Sequence, residues 1–132
     1  MRILTAVLMM ALTAAAAQET EHTKDSLDTV KAALAKKEAV LVDVREKSEW
    51  DRGHLEGAVL LPLSWIKAES KGDKFAEQVG EKLPEKKILY LHCRSGGRVL
   101  AATPLLKKAG YDVRPLQQGF DDLREAGFPA AK

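Results

Sequence analysis

Four short aliphatic runs, each followed by a stretch with helical spacing, leave this chain one kind of architecture. The runs are AVLVDVR at 39–45, GAVLLPLS at 57–64, KKILYLH at 86–92 and YDVRPLQ at 111–117. Short β-branched and aliphatic runs of this sort read as strands buried on both faces. Pro62 stops the second run. The intervening stretches read as helices. In DSLDTVKAALAKK, Leu27, Val30, Ala33 and Leu34 share a face, with Asp25 or Ser26 as N-cap. EKSEWDRGH is a helical turn ended by Gly53. WIKAESKGDKFAEQVGEKL is mostly helical, broken near Gly72 and ended by Pro84. RVLAATPLLKKAG is amphipathic and stops at Gly110, with Pro104 expected to bend it. GFDDLREAGF closes the chain before Pro129. Strands alternating with helices predict an α/β fold, a parallel sheet flanked by helices on both faces. Ligands of such sheets bind beyond the carboxyl ends of the strands.

The first 17 residues stand apart from this pattern. Arg2 is followed by a mostly apolar run and then by small residues, with Ala15 and Ala17 placed for a cut after Ala17. This is the pattern of a secretory signal peptide. An uncleaved anchor would need ~20 apolar residues, and this run is shorter. The expected mature chain is therefore periplasmic or secreted, without a stable membrane anchor. Residues 18–24, QETEHTK, read as a loose lead-in, and residues 25–129 as a single domain.

Arg2 is the only charged side chain in the leader, so 20 of the 21 basic side chains remain against 19 acidic ones. That balance argues against a nucleic-acid or membrane-surface binder. Cys93 is the only cysteine. An exported chain meets an oxidising compartment, where cysteines usually pair. A solitary thiol there pairs with another molecule, lies buried and inert, or reacts.

The neighbours of Cys93 favour reaction. HCRSGGR at 92–98 places the thiol directly after the KILYLH strand and just before a helix. Ser95, Gly96 and Gly97 let the backbone curl, and a curled loop can turn several N–H groups inward as an anion nest. The N-terminal end of the following helix adds positive potential. Arg94 and Arg98 add two full charges. These features favour thiolate over thiol, and the thiolate is the nucleophile. The same features would hold an anionic substrate or leaving group.

HCRSGGR resembles the active-site loop of the rhodanese family of sulfurtransferases. VLVDVREKSEWDRGHLEGAVLLP resembles that family's other signature, through Asp43-Val44-Arg45, Gly53-His54, Gly57-Ala58 and Pro62. GYDVRPLQQGFDDLREAGFP resembles the end of a rhodanese domain. The resemblance implies a sulfane-sulfur transferase. Cys93 would attack a small anionic donor such as thiosulfate and become a persulfide. Cyanide or a thiol would then remove the outer sulfur, in two covalent steps. Arg94, Ser95, Gly96, Gly97 and Arg98 would cradle the anion. The loop has four residues between Cys93 and Arg98. The related cell-cycle phosphatases use a loop one residue longer, so the resemblance ranks phosphatase and arsenate reductase activity below sulfur transfer. A second reading is a persulfide carrier or protein-binding module with little turnover of free thiosulfate, since fold alone does not settle function. An unpaired reactive thiol outside the cell is open to oxidation. That brings in a reducing or persulfide partner protein.

Other polar residues have plainer readings. Asp43 and Arg45 either reach the loop from a neighbouring strand or form ion pairs that fix loops. His54 reads as a structural hydrogen-bonding group. His92 points to the opposite face from Cys93 if the strand persists. Trp65 lines the pocket rim or packs in the core. No cluster of Cys and His has metal-ligand spacing, so neither a metal nor another cofactor is expected.

Overall fold

The computed structural model describes residues 20–83 and 86–132. The expected signal peptide at 1–17 and the expected stop at Pro84 lie outside the described residues. The described elements are, in order, α1 (Leu27–Ala35), β1 (Ala39–Asp43), α2 (Lys47–Asp51), β2 (Val59–Leu60), α3 (Leu63–Glu69), α4 (Phe75–Lys82), β3 (Ile88–His92), α5 (Arg98–Lys108), β4 (Asp112–Pro115) and α6 (Phe120–Glu125). The four strands form a parallel sheet in the order β2-β1-β3-β4. The α/β architecture read from the alternation is the one observed.

The period of two along each strand divides the core. Val42, Leu89, Leu91, Cys93 and Val113 face the layer of α3, α4 and α5, where Ile66, Val79 and Leu106 are fully buried. Leu41 and Tyr90 face the other layer, with Val30 and Ala33 of α1 and Leu123 of α6. Apolar burial on both faces explains why β1 and β3 read as nearly continuous hydrophobic runs.

Several boundaries differ from the sequence pattern, each for a local reason. Ser26 rather than Asp25 caps α1, its hydroxyl accepting the Thr29 N–H at 3.1 Å. β2 keeps only Val59 and Leu60, because it lies at the sheet edge and Pro62 opens α3 directly afterwards. The long helical stretch divides into α3 and α4 around Gly72. Pro104 sits within α5 without ending it. The lead-in is not loose near its end. The Thr23 N–H donates to the Pro115 carbonyl at 2.7 Å. Asp25 accepts from Tyr90 at 2.6 Å and from Arg114 at 2.9 Å. Among the described residues, no helix is long and apolar enough to cross a membrane.

Candidate active site

The site lies where β1 and β3 end. Asp43 and His92 are paired in register, so the next residues of both strands emerge at the same carboxyl edge. The strand alternation carries through the junction. His92 turns toward Asp43 and Phe120, its Nε2 3.7 Å from the Asp43 carboxylate. Cys93 turns the other way, into the layer of α5. Burial pushes His92 below the usual imidazole range, and the facing Asp43 offsets only part of that. His92 is thus a buried group across the sheet from the thiol, not a base beside it.

Cys93 is 1% exposed. Its Sγ accepts the Gly96 N–H at 3.2 Å, so the loop closes around the sulfur. The closure needs glycine at 96, where φ is +85° and a Cβ would stand 2.8 Å from the Gln117 carbonyl oxygen. The segment after β4 forms a floor under the loop. The Phe120 N–H donates to the Cys93 carbonyl at 2.9 Å. At Gly119 a Cβ would fall 1.8 Å from the Arg94 carbonyl oxygen. α5 begins at Arg98, and its first-turn amides have no carbonyl of their own helix to bond.

The two loop arginines do different things. Arg98 forms a two-pronged ion pair with Glu49 of α2, at 2.5 and 2.9 Å. Arg94 is exposed and lines a cleft of about 280 Å³ with Arg45, Glu49, Arg52, Phe120 and Asp121. Among the described residues, neither Arg94 nor Arg52 is in an ion pair. Ser95 and Gly97 are exposed and Gly96 is buried.

Asp43 and Arg45 form a buried strut. Asp43 accepts from the Arg45 backbone N–H at 2.9 Å and from its guanidinium at 2.8 and 3.1 Å. Arg45 also donates to the Gly53 carbonyl at 2.8 Å and lies over the Phe120 ring. The pair joins the end of β1, the turn at Gly53 and the start of α6. Its side chains make no hydrogen bond to residues 93–98 among the described residues. His54 stacks on Trp50 and donates from Nδ1 to the Trp50 carbonyl at 3.1 Å. Trp65 packs near Phe75 under Lys82, away from the cleft.

Glu49, Arg52, Gly119 and Phe120 join the site without having been singled out in the sequence. Glu49 and Arg98 are 49 positions apart, and nothing local marks them as partners. Gly119 reads locally as a helix start, and only the Arg94 peptide lying against it gives it a second function.

The Arg98 guanidinium holds the Glu49 carboxyl well below the usual carboxylate range, at about 2. A depressed folded-state value stabilises the fold above the unfolded value of 4.5, and that stabilisation fades as pH falls from there through about 2. The pair is partly exposed, so screening limits its worth to about 1 kcal/mol. Glu49→Gln is expected to lower stability by about that much at pH 7. Urea unfolding at pH 7 and at pH 2.5 checks this, and the difference from wild type should shrink at the lower pH.

A family model described as a rhodanese-like domain matches residues 26–126. Over 80 residues the chain is 40% identical to a Mycobacterium tuberculosis protein named "probable adenylyltransferase/sulfurtransferase MoeZ". That match takes in 60% of this chain and spans only 18% of the relative. It is 33% identical over 93 residues to thiosulfate sulfurtransferase 18 of Arabidopsis thaliana, covering 67% of this chain and 68% of that one. The solved structure of the human single-domain sulfurtransferase superposes with a TM-score of 0.62 at 27% identity. That likeness covers 76% of this chain and 94% of the human one.

Proposed function

Since the chain belongs to the rhodanese-like domain family, we propose that it is a sulfurtransferase carrying sulfane sulfur on Cys93. The observation that carries this reading is the loop closed on Cys93, with the Gly96 N–H donating to Sγ at 3.2 Å. In the first step the Cys93 thiolate attacks the outer sulfur of thiosulfate. The sulfur–sulfur bond of the donor breaks, and its electron pair leaves with sulfite. Cys93 now holds a persulfide. In the second step cyanide or a thiol attacks the outer sulfur, leaving as thiocyanate or as a new persulfide, and the Cys93 thiolate returns. No outside oxidant or reductant is needed.

The loop from Arg94 to Arg98 supplies the anion cradle. Of the two loop arginines, Arg94 is the one free to meet the donor, because Arg98 is engaged by Glu49. Arg98 then acts by fixing the start of α5 against α2. Asp43 and Arg45 support the site by holding Phe120 and the Gly53 turn in place. The outer sulfur of a persulfide stands ~2 Å beyond Sγ. Cys93 itself is 1% exposed, so the acceptor is offered the added sulfur rather than Sγ.

A second reading is a carrier that gives its sulfur to a partner protein. It is supported by the MoeZ relative, in which the matched segment is 18% of a longer chain. We propose further that residues 1–17 direct export to the periplasm or the medium.

Intact mass after brief thiosulfate treatment tests the function. The expected result is a gain of one sulfur, located on the peptide containing Cys93 and removed by cyanide. No gain would overturn the thiosulfate mechanism. The same spectrum of protein recovered outside the cytoplasm should begin at Gln18, and an intact Met1 would overturn the cut after Ala17.

A further inference from the structure

The lead-in segment reaches the loop that holds the sulfur. His22 Nε2 lies 2.6 Å from the Gly96 carbonyl oxygen, 74 positions away in sequence. A carbonyl can only accept, so the imidazole donates. The chain just after the contact is held in place. The Thr23 N–H is fixed to the Pro115 carbonyl, and Asp25 is fixed by Tyr90 and Arg114. Three successive attachments make residues 22–25 a strap across the β4 edge, ending on the loop.

The peptide between Gly96 and Gly97 is trans, as are all described peptide bonds. In a trans peptide the carbonyl and the following N–H point in opposite directions. With the Gly96 oxygen drawn toward His22, the Gly97 N–H leaves the loop on the opposite face. The peptide has little else to orient it. Gly96 and Gly97 carry no side chains, and nothing stands within 4 Å of where a Gly97 Cβ would be. Two adjacent glycines would let this peptide rotate at small cost.

We propose that His22 is a positioning residue: its hydrogen bond to the Gly96 carbonyl locks the Gly96–Gly97 peptide so that the Gly97 N–H faces the anion bound at Cys93. This deepens the sulfurtransferase reading and rests on it for the identity of the anion. It leads to a preference for anionic over neutral reagents of the same shape at the thiol.

The test compares wild type, His22→Ala and His22→Gln. The glutamine amide keeps a donor near the position of Nε2 and carries no charge. Each protein is alkylated at Cys93 with iodoacetate and with iodoacetamide, and the ratio of the two rates is taken. The ratio cancels general changes in thiol reactivity. The same proteins are assayed for thiosulfate KM and kcat, with thermal midpoints as a control on folding. His22→Ala is expected to lower the iodoacetate-to-iodoacetamide ratio about fivefold and to raise KM by a similar factor, the loss of roughly one hydrogen bond to an anion. kcat should change less than twofold, and His22→Gln should recover most of both effects. An unchanged ratio in His22→Ala overturns the proposal. So does a ratio lost equally in His22→Gln, which would assign the effect to charge. If wild type transfers no sulfur, the functional reading fails, while the alkylation ratios still decide the role of His22.

Discussion

Replacing Gly119 with alanine is expected to unseat the Cys93 loop and lower thiosulfate turnover at least 100-fold. The backbone dihedrals at 119 are ordinary for any residue, with φ −85° and ψ −176°, so conformational strain is not the cause. The cause is space. A Cβ at 119 would lie 1.8 Å from the Arg94 carbonyl oxygen and 2.5 Å from its carbon. Non-bonded heavy atoms settle near ~3.5 Å, so the two segments must part by roughly 1.5 Å. Backbone stands on both sides, and no side-chain rotation relieves it. The parting would break the Phe120 N–H bond to the Cys93 carbonyl, now 2.9 Å. Overpacking commonly costs 1–3 kcal/mol, and this case belongs at about 3 kcal/mol. A domain stable by roughly 5–15 kcal/mol survives that loss. The variant should therefore keep its far-UV circular dichroism while its Tm falls by about 10 °C or more. A Tm within a degree or two of wild type, with activity intact, would show that the Arg94 peptide moves freely and would sink the argument.

Cys93→Ser is expected to lose sulfur transfer by another route, with the fold intact. A serine hydroxyl fits the space of the thiol and can accept the Gly96 N–H that now reaches Sγ at 3.2 Å. The change in stability should stay near 1 kcal/mol. The chemistry does not carry over. A hydroxyl is a weak nucleophile unless a base stands beside it, and the nearest imidazole in sequence, His92, is on the other face of the sheet. Thiosulfate treatment should add no sulfur to this variant, and turnover should fall at least ~1,000-fold. The two variants would then both lose most of their activity yet differ by several degrees in Tm. Sulfur uptake by Cys93→Ser would move the nucleophile to another residue and overturn the assignment.

The parts of this protein that were legible in the sequence are those governed by short-range rules. The aliphatic run ending at His92 is a strand because neighbours on both faces bury it. The glycines at 96 and 97 announce a curled loop because glycine takes dihedrals that other residues avoid, as Gly96 does at φ +85°. β2 was over-read, since eight residues of favourable composition yield a two-residue strand where the sheet has an edge. The lead-in was under-read, because polar composition says nothing of the distant carbonyls of Gly96 and Pro115 that His22 and Thr23 find.

By itself the sequence determined the α/β alternation, the place of Cys93 directly after a strand and the loop length around it. Each of these follows from the period and size of neighbouring residues. Only the tertiary structure decided how the charges divide. Arg98 is engaged by Glu49 and Arg45 by Asp43, while Arg94 stands open at the cleft. It also decided that Gly119 must lack a side chain and that His22 meets the loop. A guanidinium donates to any acceptor, and a carbonyl accepts from any donor, within about 3 Å, and which partner arrives is set by packing distant segments together.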